Sequence, residues 1–385
     1  MDKVRLGIIG FGNQGSLYAQ FITEGKVKDT VVGAICDIDP EKKKLAQEKY
    51  PSIPFYDNYL DMLDSGDVDA IVTTVPHYLH PEMAIESLKR GIHAMVEKPA
   101  GVYTKQVREM NEFAATKPDV TFAIMFNQRT NPLYIKVREL VQSGELGELR
   151  RVNWIITDWW RPQTYYDSGT WRATWGGEGG GVLVNQAPHQ IDMLQWICGM
   201  PKKVYAKARY GYHRDIVVEN DVTAVFDFEN GATGVFTTCT HDIVGTNRLE
   251  IYGDLGKAIV ENGKLVVKKL TKTEQELSKE MDMRTIYQLV RGGDTSSLYT
   301  EEVFEFGNQW GGQHVAVLEN FAANILHGTP LIADGAEGIR GVELANAMLL
   351  SSWLDKEVEL PLDEEVYFEE LNKRIKEENK YPTRD

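Results

Sequence analysis

The chain has 385 residues, more than one hydrophobic core usually supports, so two domains are expected. Hydrophobic residues make up 42% and charged residues 26%, the balance of a globular protein, and the net charge of −15 excludes the basic footprint a nucleic-acid surface needs. No apolar run approaches the roughly 20 residues of a membrane span, and the strand pattern that starts at once in MDKVRLGIIG leaves no room for a signal peptide, so a cytoplasmic protein is expected.

Along the first part of the chain, short Val- and Ile-rich runs alternate with polar segments of helical period. KVRLGIIG, VVGAICD, AIVTTVP, IHAMVEKP and VTFAIMF carry few charges and suit parallel strands buried on both faces. Between them PEKKKLAQEKY and PEMAIESLKRG predict helices, the second stopped at Gly91. This alternation predicts a doubly wound parallel sheet. After Arg129 the pattern changes. NPLYIKVRELVQSGELG predicts a helix and ELRRVNWIITD a strand; DVTAVFDF, GATGVFTTCT, NRLEIYGD, GKAIVE and KLVVKKL then predict a largely antiparallel sheet, with hairpin turns at Asn230-Gly231 and Asn262-Gly263. Two helices follow, HVAVLENFAANILHG and AEGIRGVELANAMLLSSWLD, and the charged tail at about 363–380 predicts a peripheral helix. The expected division is 1–126 and 127–385. Cys36, Cys198 and Cys239 are odd in number and lack metal spacing, which predicts reduced core residues; His77 and His80 have no third ligand spaced for a metal, so none is expected.

Gly10, Gly12 and Gly15 form G-x-G-x-x-G between the strand VRLGII and the helical stretch SLYAQFI. A motif in that setting predicts a dinucleotide site, with a tight turn, close approach of a pyrophosphate, and a helix N-terminus offering free N–H groups. The next strand ends in AICDID, so Asp37 follows the last glycine by 22 residues. A carboxylate there accepts from ribose hydroxyls and repels a 2′-phosphate, and Ile38 stands where an NADP enzyme more often has Arg. NAD is the expected cofactor.

Three further segments carry candidate chemistry. Lys98 in VEKPAG ends the fourth apolar strand and should face the crevice beyond the carboxyl ends of the strands. In WGGEGGGVLVNQAPHQIDMLQWICG, Gly179, Gly180 and Gly181 make room for a ligand or a backbone, and Asn185 and His189, four apart, share a face if one helix carries both; Pro188 places or bends its start. Asp192 reads as a helix-face carboxylate, or as a group orienting His189. TDWWRPQTYYDSGTWRATW packs Trp159, Trp160, Tyr165, Tyr166, Trp171 and Trp175 into seventeen positions without strand or helix period. Such rings, with Arg161 and Arg172 as donors, suit the faces and hydroxyls of a pyranose, or else a subunit contact.

Gly10–Gly15, TTVPHYLH, Glu97-Lys98-Pro99, QSGELGELRRV and GGGVLVNQAPHQIDMLQW occur in the order and spacing of the Gfo/Idh/MocA family of NAD(P)-dependent sugar and inositol oxidoreductases, which the chain resembles over essentially its whole length. The resemblance implies an N-terminal Rossmann domain and a C-terminal α/β domain whose open, mostly antiparallel sheet forms dimers or tetramers. It implies that Lys98 binds the reacting hydroxyl and that His189 takes its proton. It implies cofactor contacts from Gly10, Phe11, Gly12, Asn13, Gln14, Gly15, Asp37, Ile38, Thr74, Pro76, His77, His80, Glu97, Lys98, Asn127, Trp171 and Arg172. Substrate contacts are implied for Lys98, Arg129, Tyr165, Arg172, Asn185 and His189, with His314 and His241 as weaker candidates. Position 185 commonly holds Asp in the family's dehydrogenases, whereas Asn cannot accept a proton. The expected activity is NAD-dependent oxidation of a sugar or glycoside hydroxyl, with C3 of a glucoside suggested by the resemblance. Two alternatives stay open: an NAD-retaining glycosidase that uses transient oxidation and elimination, and a sugar-sensing regulator without turnover.

Overall fold

A computed structural model describes residues 2–292, 295–307 and 311–384. Six strands form the first sheet: β1 (Val4–Ile9), β2 (Thr30–Cys36), β3 (Phe55–Tyr56), β4 (Ala70–Thr73), β5 (His93–Val96) and β6 (Phe122–Ile124). Their order is β3-β2-β1-β4-β5-β6 and every pairing is parallel. The order reverses between β1 and β4, so the connections leaving those strands diverge and open a crevice at their carboxyl ends. Helices cover both faces. Tyr18, Phe21 and Ile22 of the helix Asn13–Thr23 pack on one side, together with Val317, Leu318 and Phe321 of the helix Gly312–His327. The first layer is thus completed by a helix from late in the chain.

Nine strands form the second sheet: β7 (Leu149–Ile156), β8 (Lys203–Tyr210), β9 (Glu219–Asp227), β10 (Thr233–Cys239), β11 (Asn247–Gly253), β12 (Gly256–Glu261), β13 (Lys264–Leu270), β14 (Tyr299–Glu305) and β15 (Val358–Glu359), in the order β14-β13-β12-β11-β7-β10-β9-β8-β15. All pairs are antiparallel except β7 with β10. The expected turns at Asn230-Gly231 and Asn262-Gly263 join β9 to β10 and β12 to β13.

Strand alternation separates the faces of this sheet. One register row, Leu265–Val260–Leu249–Trp154–Phe236–Ala224–Ala206, is buried throughout. Its cluster includes Ile191 and Leu194 of the helix Pro188–Cys198 and Leu344 and Met348 of the helix Gly338–Leu354. The neighbouring row, Val303–Val266–Ile259–Glu250–Asn153–Val235–Val225–Tyr205, lies on the opposite, open face. The C-terminal helix, Glu364–Glu378, is less peripheral than its charge suggested: Tyr367, Leu371 and Ile375 are fully buried, and Tyr367 stacks on Trp353 at 5.2 Å. No helix of the described residues is long and apolar enough to cross a membrane.

Candidate functional site

At the carboxyl end of β1 the chain turns through Gly10 at φ +93°, where a Cβ would stand 2.7 Å from the Thr74 carbonyl oxygen. A Cβ on Gly12 would meet nothing within 4 Å, so the backbone there is open to close approach by a ligand. Gly12 precedes the helix Asn13–Thr23, whose first N–H groups face the same opening. Asp37 follows β2; its Oδ2 accepts the Phe11 N–H at 2.6 Å and its Oδ1 the Asp39 N–H at 2.9 Å. The carboxylate therefore braces the glycine turn while leaving lone pairs for ribose hydroxyls. Ile38 beside it is 88% exposed and offers no cation to a 2′-phosphate. An open cradle, a helix N-terminus and a carboxylate at the second strand together fit NAD.

The turn forms one wall of a cleft of about 920 Å³. Gly10, Gly12, Asn13, Gln14, Asp37, Ile38, Thr74, Pro76, His77, His80, Glu97 and Lys98 line it from the first layer, and Tyr165, Trp171, Arg172 and Asn185 from the second. The two groups foreseen separately in the sequence thus face each other. The Lys98–Pro99 bond is cis, and Lys98 Nζ donates to the Asn185 main-chain oxygen at 3.0 Å. Burial lowers the Lys98 pKa, while the charges of Glu97 and Glu178 raise it. Glu97 is buried and accepts from the Tyr18 hydroxyl; burial raises its own pKa. Across the cleft Arg172 lies over both Tyr165 and Trp171, 4.7 Å from each ring centre, and donates to Tyr165 Oη at 3.0 Å.

His189, half-buried in the first turn of the helix Pro188–Cys198, is not among the residues that line the cleft. Burial, with the nearby charges of Lys98 and His314, holds its pKa well below the usual histidine range, so the ring is neutral at pH 7. Its buried Nδ1 has no hydrogen-bond partner. Burial, then Lys98, lowers His314 to about 4, and its ring meets Asn127 Nδ2 at 3.0 Å. Asn127 is 4% exposed and lies off the cleft lining, with its Oδ1 unpartnered.

Several expectations change on contact with the geometry. Asn185 and His189 do not share a helix face, because Pro188 opens the helix and Asn185 lies in the preceding turn. Arg129, expected on the substrate, is buried to 1% of its side chain; it makes a bidentate pair with Asp192 at 2.8 and 2.9 Å and also bonds Glu337. Asp192 is therefore Arg129's partner and does not orient His189. The Phe11 side chain is in the core, edge-on to Tyr50, so only its backbone reaches the glycine turn. His80 lines the cleft, but both ring nitrogens meet main-chain oxygens, Pro99 at 2.8 Å and Val75 at 2.9 Å.

The aromatic loop divides. Tyr165 and Trp171 face the cleft, Tyr166 and Trp175 are core residues, Trp159 is half-buried against the core and Trp160 is 42% exposed. The glycine run makes room for protein instead of ligand: Gly181 sits under the Glu219 backbone, and its N–H, with that of Leu183, is accepted by the buried Glu219 carboxylate, which burial raises to about 7. His241 lies apart from the cleft, with its ring nitrogens on Asp221 and Asp242; with Cys239 and Asp242 it forms the one group among the described residues whose ligand-type atoms lie within 4.8 Å of one another.

Sequence reasoning passed over Glu178. It is 3% exposed, accepts the Ala173 N–H at 2.6 Å, and also accepts from Asn185 Nδ2. A carboxylate alone among the glycines of WGGEGGG was the available signal, since nothing there shields a charge except backbone donors and whatever faces it.

Residues 4–125 match the model of an oxidoreductase family with an NAD-binding Rossmann fold, and residues 134–259 match the model of the GFO/IDH/MocA C-terminal domain. The chain is 27% identical to the uncharacterised oxidoreductase YrbE of Bacillus subtilis, over 80% of this chain and 87% of that one. It is 24% identical to the myo-inositol 2-dehydrogenase of Thermotoga maritima, over 87% and 92%. The crystal structure of the WlbA dehydrogenase from Chromobacterium violaceum, in complex with NADH and UDP-GlcNAcA, superposes with a TM-score of 0.77 at 25% identity, covering 94% of this chain and 97% of that one.

Proposed function

The chain belongs to the Gfo/Idh/MocA family of NAD-binding oxidoreductases, and we propose that it oxidises a secondary hydroxyl of a sugar or glycoside, or reduces the matching keto group. The observation that carries this reading is Lys98: it lines the same cleft as the glycine turn and as Tyr165, Trp171 and Arg172, and its Nζ bonds the Asn185 main-chain oxygen. The inositol dehydrogenase and the WlbA dehydrogenase bound to a nucleotide sugar support a polyhydroxylated substrate.

Bound NAD would be held by the glycine turn, Asp37 and the β4 and β5 loops, and supplies the hydride acceptor. The protein supplies the rest. Tyr165 and Arg172 offer a hydroxyl and a guanidinium to sugar hydroxyls, and Trp171 offers an apolar face. The Lys98 ammonium donates to the reacting oxygen and stabilises its charge as the proton leaves. His189, kept neutral by burial, is assigned the proton on the family resemblance. Within this class we propose C3 of a glucoside as the position oxidised, on the resemblance of WWRPQTYYDSGTWR and GGGVLVNQAPHQIDMLQW.

A panel of sugars, inositols and glycosides, followed by NADH absorbance and product mass spectrometry, tests the reading. Turnover is expected in the wild type and a fall in kcat of roughly two to four orders of magnitude in Lys98→Met, with NAD binding nearly intact. Release of an aglycone without net NADH would mark elimination chemistry instead. Binding of NAD and sugar without any product would mark a sensor.

A further inference from the structure

The family's common carboxylate at position 185 is an amide here, and the structure holds a buried carboxylate against that amide. Glu178 Oε2 accepts the Ala173 N–H at 2.6 Å, its Oε1 accepts from Asn185 Nδ2, and Arg172 Nη1 stands 3.8 Å from Oε1. The main-chain oxygen of Glu178 meets His77 Nδ1 at 3.1 Å, which ties this turn to the cofactor side of the cleft. Burial pushes the Glu178 carboxyl up, while the Ala173 N–H, the Asn185 amide and the charges of Arg172 and Lys98 pull it back.

An amide has one donating end and one accepting end. With Nδ2 committed to Glu178, Asn185 Oδ1 must point away from it, and it lies 3.4 Å from Tyr165 Oη. The same tyrosine oxygen receives bonds from Arg172 Nη1 at 3.0 Å and Gln186 Nε2 at 3.2 Å. The backbone oxygen of Asn185 receives Lys98 Nζ at 3.0 Å. Glu178, Asn185, Tyr165, Arg172 and Lys98 are therefore one hydrogen-bonded set, and Glu178 is its anchor.

Resting on the oxidoreductase reading above, we infer that Glu178 is the displaced carboxylate of this site: a positioning residue that turns the Asn185 amide so that Oδ1 accepts from a substrate hydroxyl beside Lys98, and that sets a second negative charge, after Glu97, in the field of Lys98. The polarity matters. An Asp at 185 would press two buried carboxylates together, and one of them would have to keep a proton. Exchanging both residues, Glu178→Gln with Asn185→Asp, restores one amide facing one carboxylate with the donor reversed.

Four proteins test this: the wild type, Glu178→Gln, Asn185→Asp and the double variant. The first readout is the thermal midpoint from pH 5 to pH 9, which needs no activity. A carboxyl pair that holds a proton when folded and releases it when unfolded stabilises the fold at low pH and loses that stabilisation as pH rises. Asn185→Asp is expected to fall more steeply than the wild type, in which the raised Glu219 carboxyl already gives some fall, and the double variant to return to the wild-type dependence. The second readout is steady-state kinetics on the best substrate of the panel. Each single variant is expected to lose at least tenfold in kcat/KM, Glu178→Gln mainly through KM, and the double variant to regain most of the loss.

A double variant no better than the worse single one overturns the proposal. So does a Glu178→Gln enzyme with unchanged KM, kcat and pH profile. Should Glu178→Gln not fold, an Asn185→Asp midpoint that follows pH as the wild type's does overturns it as well. Rescue of the midpoint in the double variant, with no sugar turned over even by the wild type, supports the pairing and overturns the sugar-oxidation reading instead.

Discussion

Replacing Asp37 by Ala is the sharpest probe of the cofactor end of the cleft. The wild-type carboxylate already accepts two backbone N–H bonds, from Phe11 at 2.6 Å and from Asp39 at 2.9 Å. Each oxygen has a second lone pair for a ribose hydroxyl. Alanine removes those acceptors and also releases the brace on the glycine turn. A hydrogen bond to a charged group contributes about 1.5–3 kcal/mol, so losing one to the ribose should raise the Kd for NAD roughly 10- to 150-fold. NADP suffers the same loss of bracing but gains relief from repulsion, so the ratio of the two dissociation constants should narrow. Asp37→Asn keeps an acceptor without the charge and should fall between wild type and Ala. Calorimetric titration of both nucleotides at one fixed salt concentration measures all of this. Tighter NADP binding by the wild type, or an Asp37→Ala Kd for NAD within about twofold of wild type, would refute the argument; such a change is under 0.5 kcal/mol.

Two predictions concern the interior. Arg129→Met leaves Asp192 buried without its bidentate partner and should cost about 3–5 kcal/mol, read by urea unfolding, with much of it recovered in Arg129→Met/Asp192→Leu; a raised KM with unchanged stability would return Arg129 to the substrate. Because burial and the charges of Lys98 and His314 hold His189 neutral, kcat/KM should persist as pH falls through 6.5 and decline only below it, and His189→Ala should lack that acid limb; an acid limb centred at or above pH 7 would contradict the assignment.

Much of this was legible in the residues. The parallel sheet announced itself through runs such as AIVTTVP, which are apolar on both faces, and the glycine turn through its place between strand and helix. Other parts were hidden for physical reasons. β3 is two residues long and has no period to detect. β14, YTEEVFE, is exposed along most of its length, so its acidic residues masked a strand that exists by pairing with β13. Arg129 was expected on the substrate because its partners, Asp192 and Glu337, lie far along the chain, on or beside helices that close over it. The aromatic loop was read as one surface, yet Trp175 packs against Trp353 at 5.5 Å and Tyr166 bonds Thr240 at 2.7 Å. Sequence density cannot show which rings turn inward when no strand or helix fixes their direction.

The cleft is bounded by ties that cross between its layers, and their distribution bears on how the site works. Lys98 reaches Asn185, His77 reaches Glu178, and the Tyr78 hydroxyl reaches the Trp175 carbonyl at 2.6 Å. From the far end of the chain, Glu378 accepts the Trp175 and Gly176 N–H groups at 2.7 and 3.1 Å, and the Arg384 guanidinium lies 3.9 Å over Tyr78. These bonds converge on the loop that carries Trp171 and Arg172. A loop without regular structure gains definite side-chain directions when both its backbone polar groups and its neighbours are fixed. Binding then orders fewer groups, and more of the interaction energy remains for the reacting atoms. The glycines of this segment follow from the same requirement: a Cβ on Gly176 would lie 2.3 Å from the Tyr381 Cβ, so the tail docks only against a bare backbone. Of the two uses the sequence left open for the run Gly179–Gly181, a ligand or a backbone, it is close packing of the protein on itself that the glycines serve, and it holds the ligand-facing residues still.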